Sequence, residues 1–266
     1  MTTSAIQHGR TPSGEAAPDR RILSGEQVAR YRADGYIHIP SVLTGDEVER
    51  YRSAAAEVYQ RESGLDPDNA MFKQVVNIWQ RDDTLRSLTL HPGLAELATQ
   101  LAGIPLRIWH DQLLIKPPHN GAPTEFHQDA PYWPHQESRH CLSAWVALVD
   151  VPVERGCMTF IPGQQDRRDI RPIDIADARD LFEAAPDLAY LPRVTVPLRA
   201  GDVTFHNGYT PHTANANDTD DFRFAHVNIY VDRDLQYNGN HHVCTDSLDL
   251  TVGNPLPDAS FPPVPA

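Results

Sequence analysis

After Gly103 the chain becomes a succession of short stretches rich in β-branched and aromatic residues, cut apart by proline and glycine: LRIWHDQLLIKPP, TEFHQD, LSAWVALVDV, CMTFIPG, RVTVPLRAGDVTFHNG and FRFAHVNIYV. Few architectures accommodate this pattern. Each strand edge carries unpaired backbone N–H and C=O groups, so many short strands joined by turns are stable only in sheets that close or stack, as a sandwich or barrel. The first hundred residues read differently. Ser24, with Gln27 three positions on, predicts a capped helix that Asp34-Gly35 ends. Tyr36 to Ile39 predicts a short strand. Thr44 and Glu47 repeat the capping pattern, and an alanine-rich helix follows to about Glu62. A third helix is expected over His91 to Leu101, stopped by Gly103. A charged insertion, about 166–191, carries one more helical stretch, IADARDLFEAA. Residues 1–20 are rich in Gly, Ser, Pro and Ala and are expected to be disordered. The tail after Gly253 is expected to be irregular. The expectation is one domain over 21–266, mainly β within an α+β plan, with a β core at about 104–233 and helices buttressing it.

Charge narrows the partners. Asp and Glu number 36 against 23 Lys and Arg, a net −13, and no basic stripe stands out. That disfavours nucleic acid and anionic membrane surfaces and leaves a small molecule as the expected partner. No apolar run approaches the roughly 20 residues of a membrane span. The opening MTTSAIQHGRTPSGEAAPDRR has no apolar signal core, and three cysteines without metal or redox spacing suit a reducing compartment, so a cytoplasmic location is expected.

One segment, FHQDAPYWP, carries a more pointed signal. On a strand, residues two apart face the same side, so His127 and Asp129 would project together. A lone H-x-D recurs by chance, but AGDVTFHNGYTPHTANAND adds His212 after a strand and a turn. Two imidazoles and one carboxylate form a facial triad that leaves positions open on non-haem iron(II), whereas a structural zinc takes four protein ligands. In the strand FRFAHVNIYV, Arg223 shares a face with Ala225, Val227 and Ile229, an apolar set on which a guanidinium is costly unless paired with an anion. In LRIWHDQLLIK the alternation puts His110, Gln112, Leu114 and Lys116 on one face, and Trp109, Asp111, Leu113 and Ile115 on the other.

Taken together, these segments resemble the phytanoyl-CoA dioxygenase-like family of iron(II)- and 2-oxoglutarate-dependent oxygenases. The resemblance runs from about Ile22 to Asp232. It rests on the H-x-D, the histidine some 80 residues later, the arginine eleven beyond it, SAWVALVDVPVERGCMTFIPGQQ, AGDVTFHNGYTPH and the opening LSGEQVARYRADGYIHIP. Two departures stand out: Gln164-Gln165 replaces the usual Ser-His, and Ala214 sits where a hydroxyl residue is common. The resemblance implies a double-stranded β-helix of the jelly-roll or cupin kind. Its cofactors would be iron(II), 2-oxoglutarate as cosubstrate, and O2. His127, Asp129 and His212 would hold the metal. Arg223 would take the distal carboxylate of 2-oxoglutarate, with Gln112, Lys116 and Trp145 beside it and Thr124 or Thr213 replacing the missing hydroxyl. Tyr132, Trp133 and His110 are the expected substrate contacts. His206 would lie just behind the metal, His226 outside the pocket, and His241-His242 in a loop. The implied activity is oxidation, most simply hydroxylation, of an aliphatic C–H in a small metabolite such as a secondary metabolite or a modified amino acid, releasing succinate and CO2. The carboxylate of Asp129 favours oxygen chemistry over halogenation. Two readings of other classes stay open: a non-catalytic cupin-like binding module, and a zinc hydrolase using the same triad.

Overall fold

The computed structural model describes residues 21–62, 73–134 and 138–265; the expectation for residues 1–20 lies outside them. In chain order the elements are α1 (Gly25–Asp34), β1 (Tyr36–Ile39), α2 (Gly45–Glu62), β2 (Lys73–Val76), α3 (Asp83–Thr89), α4 (Pro92–Ala102), β3 (Leu106–Lys116), β4 (Thr124–His127), β5 (Leu142–Ala147), β6 (Met158–Phe160), α5 (Asp180–Ala184), β7 (Val194–Val196), β8 (Val203–Asn207), β9 (His212–Ala214) and β10 (Arg223–Asp232). The helix starts follow local chemistry. The Ser24 hydroxyl accepts from the Gln27 N–H, while the Gln27 side chain accepts from the Ser24 N–H, a reciprocal cap. Thr44 and Glu47 repeat it at α2. Gly35 and Gly103 close α1 and α4 in the left-handed conformation, at φ 77° and 70°. Two elements escape sequence reading, β2 and α3, because four and seven residues are too few to display a period.

The strands form two antiparallel sheets, one of six in the order β1-β8-β5-β10-β3-β2 and one of four in the order β4-β9-β6-β7. This is the double-stranded β-helix. Ala225, Val227 and Ile229 of β10 and Trp145 of β5 meet Met158, Phe160 and Ala214 of the smaller sheet in one buried cluster between the sheets. The outer face of the larger sheet buries Ile108, Leu113, Ile115, Val146 and Phe205 against α1 to α4. Desolvating that face is what holds the helices to the sheet. Asp111 and His226, both 0% exposed, also point outward there. The Asp111 carboxylate accepts from the backbone N–H of Trp79 at 3.0 Å and the Thr89 hydroxyl at 2.7 Å, with the His226 ring 3.2 Å away, fixing the outer wall.

The alternation along β3 breaks at one point. Ile229 pairs with His110 but Tyr230 pairs with Ile108, so Trp109 is the extra residue of a bulge. The expected placement of Trp109 with Leu113 and Ile115 is therefore corrected. Its ring stacks on Phe261 at 5.0 Å and joins the cluster between the sheets. The irregular C-terminal tail that carries Phe261 is held by Arg107, whose guanidinium donates to the carbonyls of Leu256 and Phe261.

Candidate metal centre

Strand β4 and its continuation bring His127 and Asp129 to the rim between the sheets, and β9 brings His212 opposite. His127 and His212 are directly paired across these strands. One ligand atom from each of the three residues lies within 4.8 Å of the others, so the set could hold a metal ion. Asp129 Oδ1 is 3.4 Å from His127 Nε2 and 3.7 Å from His212 Nε2. His127 Nδ1 lies 2.7 Å from the Glu125 carbonyl and His212 Nδ1 lies 3.0 Å from that of Thr210. A carbonyl only accepts, so each Nδ1 carries the proton and each Nε2 presents its lone pair toward the carboxylate. Burial and the neighbouring imidazoles push His212 down to about 3, so its ring is neutral. Burial alone would raise Asp129, but the surrounding His212, His127 and His206 side chains more than offset it and hold the carboxyl well below its usual range. The neutral His212 ring and the His127 imidazole beside an ionised carboxylate form the donor set that suits a divalent first-row metal.

The turn that delivers His212 is anchored by α1. The Gly35 carbonyl accepts from the Asn207 N–H and the Thr210 hydroxyl, both at 2.8 Å. A Cβ on Gly35 would sit 2.4 Å from Thr210 Oγ1, and its φ of 77° already disfavours other residues. The Gly208 carbonyl in turn accepts from the N–H groups of Asp129 and Ala130, tying the two ligand-bearing segments together.

The triad opens into a cavity of about 370 Å³. Arg223 lies on its wall at 1% exposure, and its Nε and Nη1 have no hydrogen-bond partner. Burial pushes it down to about 9, so it is still a cation at neutral pH. Its guanidinium carbon is 5.5 Å from the Trp145 ring, whose Nε1–H is likewise without a partner. Buried orphan donors of this kind call for an acceptor, and a carboxylate matches the guanidinium fork. The residues lining the cavity thus fit iron(II) at the triad and a carboxylate such as the distal one of 2-oxoglutarate at Arg223. Thr124 lines the same wall and pairs with Ala214, so it stands where the absent hydroxyl was expected; Thr213 donates instead to the Thr124 carbonyl.

Gln112, His110, Tyr132 and Trp133 line the cavity as expected. The Gln112 amide donates to His110 Nε2 at 3.0 Å, and the Tyr132 hydroxyl donates to the Ile173 carbonyl at 2.5 Å. Lys116 does not line it, a correction to the expectation for that residue. It is 0% exposed, and its ammonium donates to the carbonyls of Ala122, Ala214 and Asn215 at 3.1, 3.1 and 2.7 Å. Burial and the nearby Arg223 push it down to about 7, while three carbonyl partners require all three N–H bonds of the charged form. Lys116 is thus a clip between the end of β9 and the loop after β3. Lys116→Met, which strands one buried and two half-buried carbonyls, should cost roughly 2–3 kcal/mol, read as a fall in Tm of about 5–10 °C. An unchanged Tm would mean that those carbonyls find other donors.

Several lining residues were not legible. His242, read as loop, faces His110 with ring centroids 5.5 Å apart. Ile173, Asp174 and Ile175 come from the charged insertion, and Gln74 from β2. No period or spacing marks them, because chain crossings far apart in sequence bring them together. Ser143 does carry a faint signal, a polar residue on the Trp145 face of β5. His206 lies behind the triad as expected, and His226 outside the cavity.

Comparison with known proteins agrees with this geometry. A model of the phytanoyl-CoA dioxygenase family matches residues 31–225. The peroxisomal phytanoyl-CoA dioxygenase of Rattus norvegicus is 23% identical over 243 residues, covering 82% of this chain and 71% of that protein. Methylphosphonate hydroxylase of Gimesia maris is 26% identical, covering 88% and 92%. Among solved structures, the non-heme alpha-ketoglutarate-dependent carbocyclase SnoK from nogalamycin biosynthesis is 42% identical, covering 91% of this chain and 97% of that one, with a TM-score of 0.83. The epimerase SnoN, solved with Fe3+, alpha-ketoglutarate and nogalamycin RO, is 38% identical, covering 90% and 97%, with a TM-score of 0.78. Sequence motif, triad geometry and these likenesses converge: the chain belongs to the phytanoyl-CoA dioxygenase family of iron- and 2-oxoglutarate-dependent oxygenases.

Proposed function

We propose that His127, Asp129 and His212 hold the iron, that Arg223 binds the distal carboxylate of 2-oxoglutarate, and that the chain oxidises an aliphatic C–H of a small secondary metabolite. The observation that carries this reading is the shared cavity. It has the triad at one end, and on its wall a buried guanidinium with two unused N–H groups. When bound, the iron supplies the means to couple loss of CO2 from the keto acid, giving succinate, to oxidation of a substrate C–H by O2. The protein's part is placement. Arg223, Thr124 and Trp145 fix the keto acid's orientation, and Gln112 stands near them. His110, Tyr132, Trp133 and His242 form the opposite wall, where one C–H can be set against the metal while water is excluded. SnoK and SnoN, a carbocyclase and an epimerase of nogalamycin biosynthesis by their descriptions, support a biosynthetic metabolite as substrate. The net charge of −13 disfavours an acyl-CoA, whose phosphates call for cations.

Anaerobic reconstitution with iron(II) and 2-oxoglutarate, followed by O2 and a panel of candidate biosynthetic metabolites, tests the reading. Succinate should form only with iron(II), O2 and 2-oxoglutarate together, and rise with a true substrate. Product formation with zinc in the absence of O2 would instead identify a hydrolase, and tight ligand binding without succinate a binding module.

A further inference from the structure

Asp129 presents its two oxygens to different partners. Oδ1 faces the Nε2 atoms of His127 and His212, at 3.4 and 3.7 Å. Oδ2 turns away from them, accepting from the Ser143 hydroxyl at 3.1 Å with His206 Nε2 3.4 Å distant. Ser143 is 0% and His206 2% exposed, and the two are direct cross-strand partners on β5 and β8. The backbone therefore aims both at the same point. A hydroxyl has one hydrogen to give. Among the described residues, Ser143 gives it to Oδ2 alone.

We propose that Ser143 and His206 are positioning residues that reserve Asp129 Oδ2, so that the carboxylate meets the metal through Oδ1 alone. The reason lies in the number of positions. Two imidazoles and one oxygen would occupy three of the six sites of an octahedral ion, which would leave two for a chelating keto acid and one for O2. A carboxylate that used both oxygens would take a fourth site, and one required ligand would have none. Nothing else among the described residues holds Oδ2: the other contacts recorded for this carboxylate go to His127 and His212 through Oδ1. A hydroxyl and a ring N–H on Oδ2 also fix the rotation of the half-buried carboxylate, which preorganises it as a ligand.

This inference rests on Asp129 being a metal ligand. The test is metal affinity and spectrum, measured without turnover. Ser143→Ala should bind iron(II) about tenfold more weakly than wild type in anaerobic chelator competition. Its cobalt(II)-substituted form should show a changed visible d–d spectrum, reflecting a different coordination number, and the metal-free Tm should stay close to wild type. Ser143→Thr, which keeps the hydroxyl, should restore both. Should Ser143→Ala not fold, His206→Gln and His206→Leu make the same comparison: the amide retains a donor and the leucine does not. Wild-type affinity and an unchanged cobalt spectrum in Ser143→Ala or His206→Leu would overturn the inference while leaving the iron assignment intact. Absence of iron binding in the wild type would overturn both.

Discussion

Replacing His212 by alanine is expected to leave a folded protein that holds iron(II) at least about a hundredfold more weakly and makes no measurable succinate. Loss of a partner behind a metal ligand typically costs 10–100-fold in affinity, and loss of the ligand itself costs more. The fold should survive because the change removes an imidazole at the rim between the sheets, while the pairing of β9 with β4 and β6 is backbone. Truncating a side chain that is 5% exposed costs about 1–3 kcal/mol, visible as a modest drop in metal-free Tm. His206→Ala is the informative contrast. The His206 ring lies 4.5 Å from that of His212, yet its Nε2 approaches Oδ2 of Asp129 rather than Oδ1. His206→Ala should keep one iron per chain at reduced affinity. Wild-type iron stoichiometry in His212→Ala would place the second imidazole ligand elsewhere, with His206 the first alternative.

The ligands were legible because their constraint is local and chemical. The H-x-D spacing keeps two donors close along the chain, although the strand ends at His127 and Asp129 already has helical backbone at φ −77° and ψ −46°; the turn AGDVTFHNGYTPH supplies the third. The helix caps at Ser24 and Thr44 were legible for the same reason: donor and acceptor lie three residues apart. What stayed hidden depends on register or on long-range crossings. The bulge at Trp109 adds one residue to β3 and moves that ring to the other side, and only the pairing with β10 reveals it. Lys116 was given the correct face but the wrong task, because its three carbonyl partners lie beyond Pro117 and on β9 and the residue after it. His242 and the 173–175 segment reach the cavity from loops whose sequences show no alternation.

Arg223 offers the second decisive experiment, because function and stability should move in opposite directions. In the protein without 2-oxoglutarate it is a buried cation with two unused N–H groups, an arrangement that costs stability. Arg223→Leu keeps much of the volume, relieves that cost and removes a like charge beside Lys116, so the Tm without cosubstrate should hold or rise. The KM for 2-oxoglutarate should climb at least about thirtyfold, since removing one partner of a buried, hydrogen-bonded charge pair typically costs 2–5 kcal/mol. Iron affinity should stay near wild type, because among the described residues no hydrogen bond or ion pair links Arg223 to the triad. Saturating 2-oxoglutarate should raise the Tm of the wild-type iron form and leave that of Arg223→Leu almost unmoved, as expected for a ligand that has lost its anchor. Arg223→Lys should recover little, because a single ammonium cannot reproduce the two parallel bonds of the guanidinium fork. A fall in stability with an unchanged KM would reverse the assignment: Arg223 would then be a structural cation whose partner is something other than the cosubstrate.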